Sequence, residues 1–532
     1  MKAFAELYER LDATHSTLAK VEAIAAYLSS APPADAAWAV YFLSGKRLKR
    51  TIPPSRLRIW GSAASGLPEW LFETCYHTVG DLAETVALLV EGGDPDGADL
   101  RLAGFIEDEL LPLAGAEEEV QEQAVHAWWR RFDSRRIFLI NKMLTGALRV
   151  GVARGLTTRA VAAVSGLDNA VVAQRLMGPW KPSADFYRQL VSAEEPAEEL
   201  GRPYPFFLAS PLGDAVEELG AIDDWQAEWK WDGIRAQLLR RGGETFIWSR
   251  GEDLLTDRFP ELTDLSESLP NGTVLDGEIL AWRDGRPLPF AALQTRIGRR
   301  KLSAKVLAEA PVELLAYDLL EADGVDLRQR PLAERRSRLE DLATASDGLL
   351  QLSPRVESPD WVALEALRGE SRSRGVEGFI LKRLDSPYRS GRRRGDWWKW
   401  KVDPLTADAV MIYAQAGHGR RASLFTDYTF AVWDGDALVP FAKAYSGLDN
   451  AEIRELDRWI RRHTRERFGP VRSVEPHQVF EVAFEGIQPS KRHKSGLAVR
   501  FPRILRWRRD KRPEDADRIE TVRALVGDQG HP

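Results

Sequence analysis

Apolar and polar positions change their period twice along this chain. Up to about residue 200 the apolar residues recur every three or four positions. Examples are Phe4, Leu7 and Leu11, then Leu18, Val21, Ile24 and Leu28, and later Ile137, Ile140, Leu144 and Leu148. That spacing puts them on one face of a helix. Ala31-Pro32-Pro33 breaks the second stripe, and Asp35 is expected to cap the helix that follows. Gly151, Gly155 and the pair Thr157-Thr158 mark a turn and another cap before Val161 and Val164. The stripes read as core, and nothing in this region reads as catalytic. The basic clusters at 46–50 and 130–136 are candidates for phosphate contacts or plain surface.

Arg202-Pro203-Tyr204-Pro205 is extended by proline restriction, and the pattern after it is strand-like. Residues 235–241 and 245–250 flank Gly242-Gly243 and read as a hairpin. Residues 274–282, 312–320 and 376–381 are further apolar, β-rich runs, whereas 332–342 and 361–367 look helical. Asp403-Pro404 closes this block. Beyond it, short strands alternate with turns, one at Asp434-Gly435. A single helix from 450 to about 465 carries Ile453, Leu456 and Ile460 on one face. Strands on both sides of one helix fit a five-stranded Greek-key barrel of the OB kind. The expected architecture is therefore multidomain α and β. An all-α domain spans 1–203, an α+β domain 204–404 and an OB-fold β-barrel 405–532, with the last residues from 527 frayed.

Composition narrows the function classes. A chain of 532 residues has room for three or four domains, and 44% hydrophobic with 29% charged residues argues against wholesale disorder. The single cysteine, Cys75, excludes an internal disulfide and a four-cysteine zinc site. The eight histidines form no HExxH spacing. No apolar run approaches the roughly 18 residues of a membrane span, and the charged first dozen residues do not read as a signal peptide. A cytoplasmic protein with no membrane partner is expected. The net charge of -6 hides basic patches. Six Lys or Arg side chains between Arg389 and Lys401 face Asp396 alone, and ten between Lys491 and Arg512 face Asp510 alone. Trp397, Trp398, Trp400 and Trp507 lie inside these runs, which suggests a phosphate-rich or base-stacking surface.

The candidate chemistry centres on Glu228-Trp229-Lys230-Trp231-Asp232-Gly233-Ile234-Arg235. An apolar strand delivers a lysine just before a glycine turn. A lysine fixed at a strand end, and partly desolvated or beside other cations, becomes a usable nucleophile near neutral pH. Other marks follow in order. They are Ser249-Arg250-Gly251, Asp276-Gly277-Glu278, Tyr317-Asp318, Glu377-Gly378 leading to Lys382, Trp398-Lys399-Trp400-Lys401, and Arg508-Arg509-Asp510-Lys511. Lys399 and Lys401 alternate and so share one strand face.

This ordered set resembles the covalent nucleotidyltransferases: ATP-dependent DNA ligases, RNA ligases and mRNA capping enzymes. The whole chain looks like a three-domain ATP-dependent DNA ligase of the archaeal and eukaryotic type. It resembles most the bacterial branch associated with a helicase and an exonuclease in the DNA damage response. Tyr41-Phe42-Leu43-Ser44-Gly45, Val79-Gly80-Asp81-Leu82-Ala83-Glu84-Thr85, Arg202-Pro203-Tyr204-Pro205-Phe206-Phe207 and the run from Gly395 to Pro404 carry that narrower likeness.

The resemblance implies that Lys230 attacks the α-phosphate of ATP and becomes a lysyl-AMP phosphoramidate. It implies that Glu228 reads the adenine amino group, Arg235 and Arg250 hold ribose and phosphate, and Tyr317 stacks on adenine. Glu278 would hold the ribose or a metal, and Glu377 would help bind Mg²⁺. Lys399 and Lys401 would hold the α-phosphate, while Arg508 and Lys511 would orient the departing pyrophosphate. The implied activity is the sealing of nicks in duplex DNA during repair, replication or recombination. The implied small molecules are ATP and Mg²⁺, the partners nicked duplex DNA, a helicase and an exonuclease, and the state a monomer. A hinge is expected near Asp403-Pro404. An RNA ligase or capping enzyme is the alternative within the superfamily, although those usually lack a large helical domain ahead of the lysine. NAD⁺-dependent ligases usually carry a four-cysteine zinc module, which one cysteine cannot build. A catalytically dead nucleic-acid-binding protein would show decayed motifs, and here no motif position is lost; Tyr317, where many family members have Phe, is a departure that leaves stacking intact.

Overall fold

A computed structural model describes all residues except 95–99, 149–150, 195–199, 214–215, 300–301, 418–422 and 528–532. Among the described residues the chain divides into two compact units. One comprises Met1–Val164, Pro182–Arg188 and Pro404–Gly527, and the other Ser165–Lys181 and Gln189–Asp403. No helix among the described residues is long and apolar enough to cross a membrane.

The first unit begins with the expected helices, including Lys2–Ala13, Thr17–Ser30, Pro33–Leu43 and Ser134–Leu144. Their stripes are core except for Leu18, which is 58% exposed: Phe4, Leu11, Ile24, Ile137, Ile140 and Leu144 are at most 1% exposed. Two expected caps act elsewhere. The helix after Ala31 starts at Pro33, where proline's missing N–H costs nothing. Asp35, already inside that helix, reaches across space and accepts from the backbone N–H groups of Leu102 and Ala103, at 3.2 and 2.9 Å, capping a different helix start. Thr157 lies within the helix Arg154–Ser165, and its hydroxyl donates to the Leu43 carbonyl at 2.9 Å. Of the 130–136 cluster, Arg136 is buried against Asp133 at 3.0 Å and is structural.

The β-rich part of the first unit starts at the strand Leu405–Ala416, which pairs with Phe425–Asp434, Val471–Val474 and Val479–Phe484. The sheet holds seven strands, two more than the expected five, and a separate hairpin pairs Gly486–Pro489 with Leu497–Arg500. The Asp434-Gly435 turn joins its two strands as expected. The expected helix, Asn450–Arg462, begins with a capping box of Asp449 and Glu452 and buries Ile453, Leu456 and Ile460, but it is not alone, because a second helix, Ile519–Gly527, closes the region.

The second unit is built on two large sheets and a small one that pairs Phe207–Leu208 with Gly391–Arg392. A five-stranded sheet runs Arg355–Val356, Trp225–Trp231, Val376–Arg383, Trp397–Lys401, Ser210–Pro211. A seven-stranded sheet has the path Gln351–Leu352, Val312–Ala322, Thr273–Arg283, Ile234–Arg241, Glu244–Ser249. The hairpin at Gly242-Gly243 is present. Leu239, Trp248, Val274 and Leu320 of the larger sheet pack with Trp397 of the smaller one in a shared core. The tryptophans of the first basic run are thus interior residues rather than a stacking surface: Trp397 is 2%, Trp398 8% and Trp400 7% exposed. Strand alternation explains it, because Trp398 and Trp400 face the core beneath the five-stranded sheet while Lys399 and Lys401 point the other way. Trp507 is half-buried and stacks on Phe480.

Candidate active site

The chain leaves the five-stranded sheet at Trp231 and enters the seven-stranded sheet at Ile234. Asp232-Gly233 makes that crossing. A Cβ at residue 233 would lie 2.4 Å from the Ile279 carbonyl oxygen, so only glycine fits there. The crossing places Lys230 on one sheet and the Asp276-Gly277-Glu278 strand of the other sheet on two sides of one site.

Lys230 Nζ donates to Glu377 Oε2, and Lys401 Nζ reaches the same oxygen at 3.2 Å. Burial raises the Glu377 carboxyl, but the two ammonium groups outweigh it and hold the carboxyl below its ordinary range. Glu377 can point this way because its strand bulges between Val376 and Phe379. Gly378 takes φ 124° at the bulge, and a Cβ there would meet the Trp400 carbonyl oxygen at 2.2 Å. Lys399 lies on the same strand face as Lys401. Burial, then Arg392, Lys401 and Lys230, push its amine below the ordinary lysine range.

Glu278 pairs in register with Arg235 on the neighbouring strand, and its side chain makes no hydrogen bond among the described residues. Burial raises its carboxyl to about 7, against the opposing pull of Lys230, Arg235 and Arg250. Arg235 itself is tied to Asp276 by hydrogen bonds of 3.2 and 2.7 Å and lies over the rings of Phe206, Tyr317 and Trp397. Tyr317 is buried, and its hydroxyl donates to Asp276 at 3.3 Å. Arg250 is exposed at the turn after Glu244–Ser249, with its backbone N–H bonded to the Arg235 carbonyl at 2.9 Å. Glu228 is 2% exposed and accepts from Lys382 Nζ at 2.8 Å and from Gln226 at 2.6 Å.

One unit therefore gathers Lys230, Glu228, Arg235, Arg250, Glu278, Tyr317, Glu377, Lys399 and Lys401. Arg508 and Lys511 belong to the other unit. There both are held by Asp408, Arg508 at 3.1 and 3.0 Å and Lys511 at 2.6 Å.

Three residues enter the site that the sequence reading did not assign. Lys382 lies 4.2 Å from the Tyr317 ring centroid and 4.7 Å from that of Trp397, and burial lowers its amine despite Glu228. Asp276 is fully buried, and Tyr388 donates to it at 2.6 Å. A lysine ending an otherwise apolar strand was the available signal for Lys382, because a buried lysine requires a partner.

The carboxylates also bear on a metal. Among the described residues no group of three or more His, Cys, Asp or Glu could hold an ion. Mg²⁺ needs no such cage where substrate phosphates complete its oxygen ligands. Glu278, half-buried and with no hydrogen bond to its carboxylate, suits it, whereas Glu377 is already neutralised by Lys230 and Lys401.

Residues 207–401 match the ATP dependent DNA ligase domain, residues 1–162 the DNA ligase N terminus, and residues 421–511 the ATP dependent DNA ligase C terminal region. A probable DNA ligase of Koribacter versatilis is 33% identical over 100% of this chain and 97% of its own length. DNA ligase 1 of Korarchaeum cryptofilum is 32% identical over 99% and 98%. A solved structure named Pmar-Lig_Pre shares the fold with a TM-score of 0.61, at 15% identity over 96% of this chain and 99% of that one. With a lysine, its carboxylate partner and a row of cations set between two sheets, and with relatives matching end to end, the chain belongs to the ATP-dependent DNA ligase family.

Proposed function

We propose that this ligase seals nicks in duplex DNA with Lys230 as its nucleophile. The observation that carries the reading is the placement of Lys230 Nζ on Glu377, among Lys399, Lys401 and Glu278. Lys230 Nζ attacks the α-phosphorus of ATP. A nitrogen–phosphorus bond forms, the bond to the β-phosphate oxygen breaks, and pyrophosphate leaves. AMP then passes to the 5′-phosphate of a nick. The 3′-hydroxyl attacks that phosphate, the phosphodiester closes, and AMP departs.

Phosphoryl transfer of this kind needs in-line positioning and neutralised charge more than proton chemistry. Glu377 fixes the direction of the Lys230 amine. Lys399 and Lys401 hold the α-phosphate. Tyr317 offers its ring to the adenine and Glu228 an acceptor to the adenine amino group, with Lys382 fixing that carboxylate. Arg250 and Arg235 serve the ribose and phosphate side, Arg235 being locked by Asp276. Mg²⁺ would be held by Glu278, with Glu377 nearby, and would supply positive charge to the phosphates. Arg508 and Lys511 act on the departing pyrophosphate.

The domains in this reading are 1–203, gripping the duplex, 204–404, carrying adenylylation, and 405–532, with a hinge at Asp403-Pro404. A helicase and an exonuclease of one repair pathway are the proposed protein partners, and the bacterial cytosol is the proposed location. The test is sealing of a nicked duplex supplied with Mg²⁺ and ATP, GTP or NAD⁺. Sealing with ATP alone supports the reading. Sealing only with another donor, or only of RNA, overturns it.

A further inference from the structure

A cavity of about 310 Å³ opens in the β-rich C-terminal part of the chain, against the helix Asn450–Arg462. Arg458, Arg462, Arg508, Arg509 and Lys511 line it, with Glu455 as the acidic member of its wall. Three of these cations are matched. Glu455 takes Arg509 at 2.9 and 2.7 Å, and Asp408 takes both Arg508 and Lys511. Arg458 and Arg462 have no carboxylate partner within ion-pair distance among the described residues. They stand one helical turn apart, and Arg462 Nε donates to the Arg458 carbonyl at 3.2 Å.

Like charges at this spacing repel. A multivalent anion between them converts that repulsion into charge-assisted hydrogen bonds, and guanidinium groups match phosphate oxygens in pairs. The shape also discriminates. Cations converging on a concavity suit a small polyphosphate, whereas a duplex backbone is tracked by an open stripe.

We propose that Arg458 and Arg462, at this cavity, are further binding residues for the pyrophosphate portion of ATP, beside Arg508 and Lys511. The assignment of the anion rests on the ATP-dependent reading above, since ATP and its pyrophosphate product are the polyphosphates of that reaction.

The first arm is calorimetric titration of the full chain with inorganic pyrophosphate, comparing wild type, Arg458→Ala/Arg462→Ala and a charge control, Arg454→Ala on the same helix. The expected result is binding by wild type and control and at least a tenfold loss in the double variant. This arm needs no adenylylation, so it is read independently of the donor used by the enzyme. The second arm compares the rate of adenylylation with closure of a pre-adenylated nick. The double variant should lose about tenfold more in the first than in the second. No pyrophosphate binding by wild type, or equal binding by the double variant, overturns the proposal. Equal losses in both reactions with weakened DNA binding would instead make these arginines DNA-phosphate contacts.

Discussion

Lys230 and Glu377 meet across two antiparallel strands, the amine of one donating to the carboxylate of the other. The same carboxylate oxygen also serves Lys401. Glu377 thus separates cations that would otherwise face one another and, in the proposed reaction, sets the direction from which Lys230 attacks. Glu377→Ala should slow adenylylation by roughly 10- to 100-fold, the scale of a misplaced reacting group. Glu377→Gln should lose less, because its amide oxygen still accepts from Lys230. The single-turnover rate of AMP transfer to the protein is the measurement, and an unchanged rate in the alanine variant contradicts this role.

Glu278 gives a pH dependence. Its folded carboxyl is raised to about 7 by burial. Its contribution to stability is therefore complete below the ordinary carboxyl range and lost as pH rises through 7. Glu278→Gln, which cannot ionise, should be relatively more stable than wild type at pH 8 than at pH 4.5. The difference should be on the order of 2 kcal/mol. Denaturation midpoints across that interval test the sign. A difference that is flat with pH contradicts a carboxyl raised by desolvation at this position.

Gly378 is a backbone requirement. An added methyl would collide with the Trp400 carbonyl and force a side chain into φ 124°. Gly378→Ala should destabilise the protein by about 3 kcal/mol or more and lower adenylylation with it, because Glu377 leaves its place. Thermal unfolding of the variant reads the first effect.

Asp276 holds Arg235, Tyr388 and Tyr317 at the floor of the site. Removing one partner of a buried ion pair strands the other charge, so Asp276→Ala should cost about 3–5 kcal/mol. A loss within the ordinary surface range of about 0.5 kcal/mol contradicts this role.

What the sequence revealed depended on how local each feature is. Lys230, Glu278, Glu377, Lys399 and Lys401 stand in short windows whose order is visible in one dimension, and the structure brings them together. Lys382 and Glu228 are 154 residues apart, and no local pattern couples them. Asp35 was readable as a cap but not as the cap of a helix 67 residues on. The tryptophans beside Arg394 and Lys399 misled because composition reports which residues are near in sequence, not which face they take. Alternation along Trp397–Lys401 already held that answer, since lysine and tryptophan occupy opposite faces at 398–401. The strand count of the β-rich region escaped because its short strands, such as Val471–Val474, are too brief to show a period.

The central claim is that Lys230 carries AMP from ATP to a nick. The direct measurement mixes protein freed of bound AMP with Mg²⁺ and ATP labelled on the α-phosphate, with Lys230→Ala as the control, and then chases with nicked duplex. The account predicts label on the wild-type protein only, located on Lys230 by peptide mapping and lost to DNA as sealed product appears. Label retained by Lys230→Ala, or label on wild type that never reaches DNA, would contradict it.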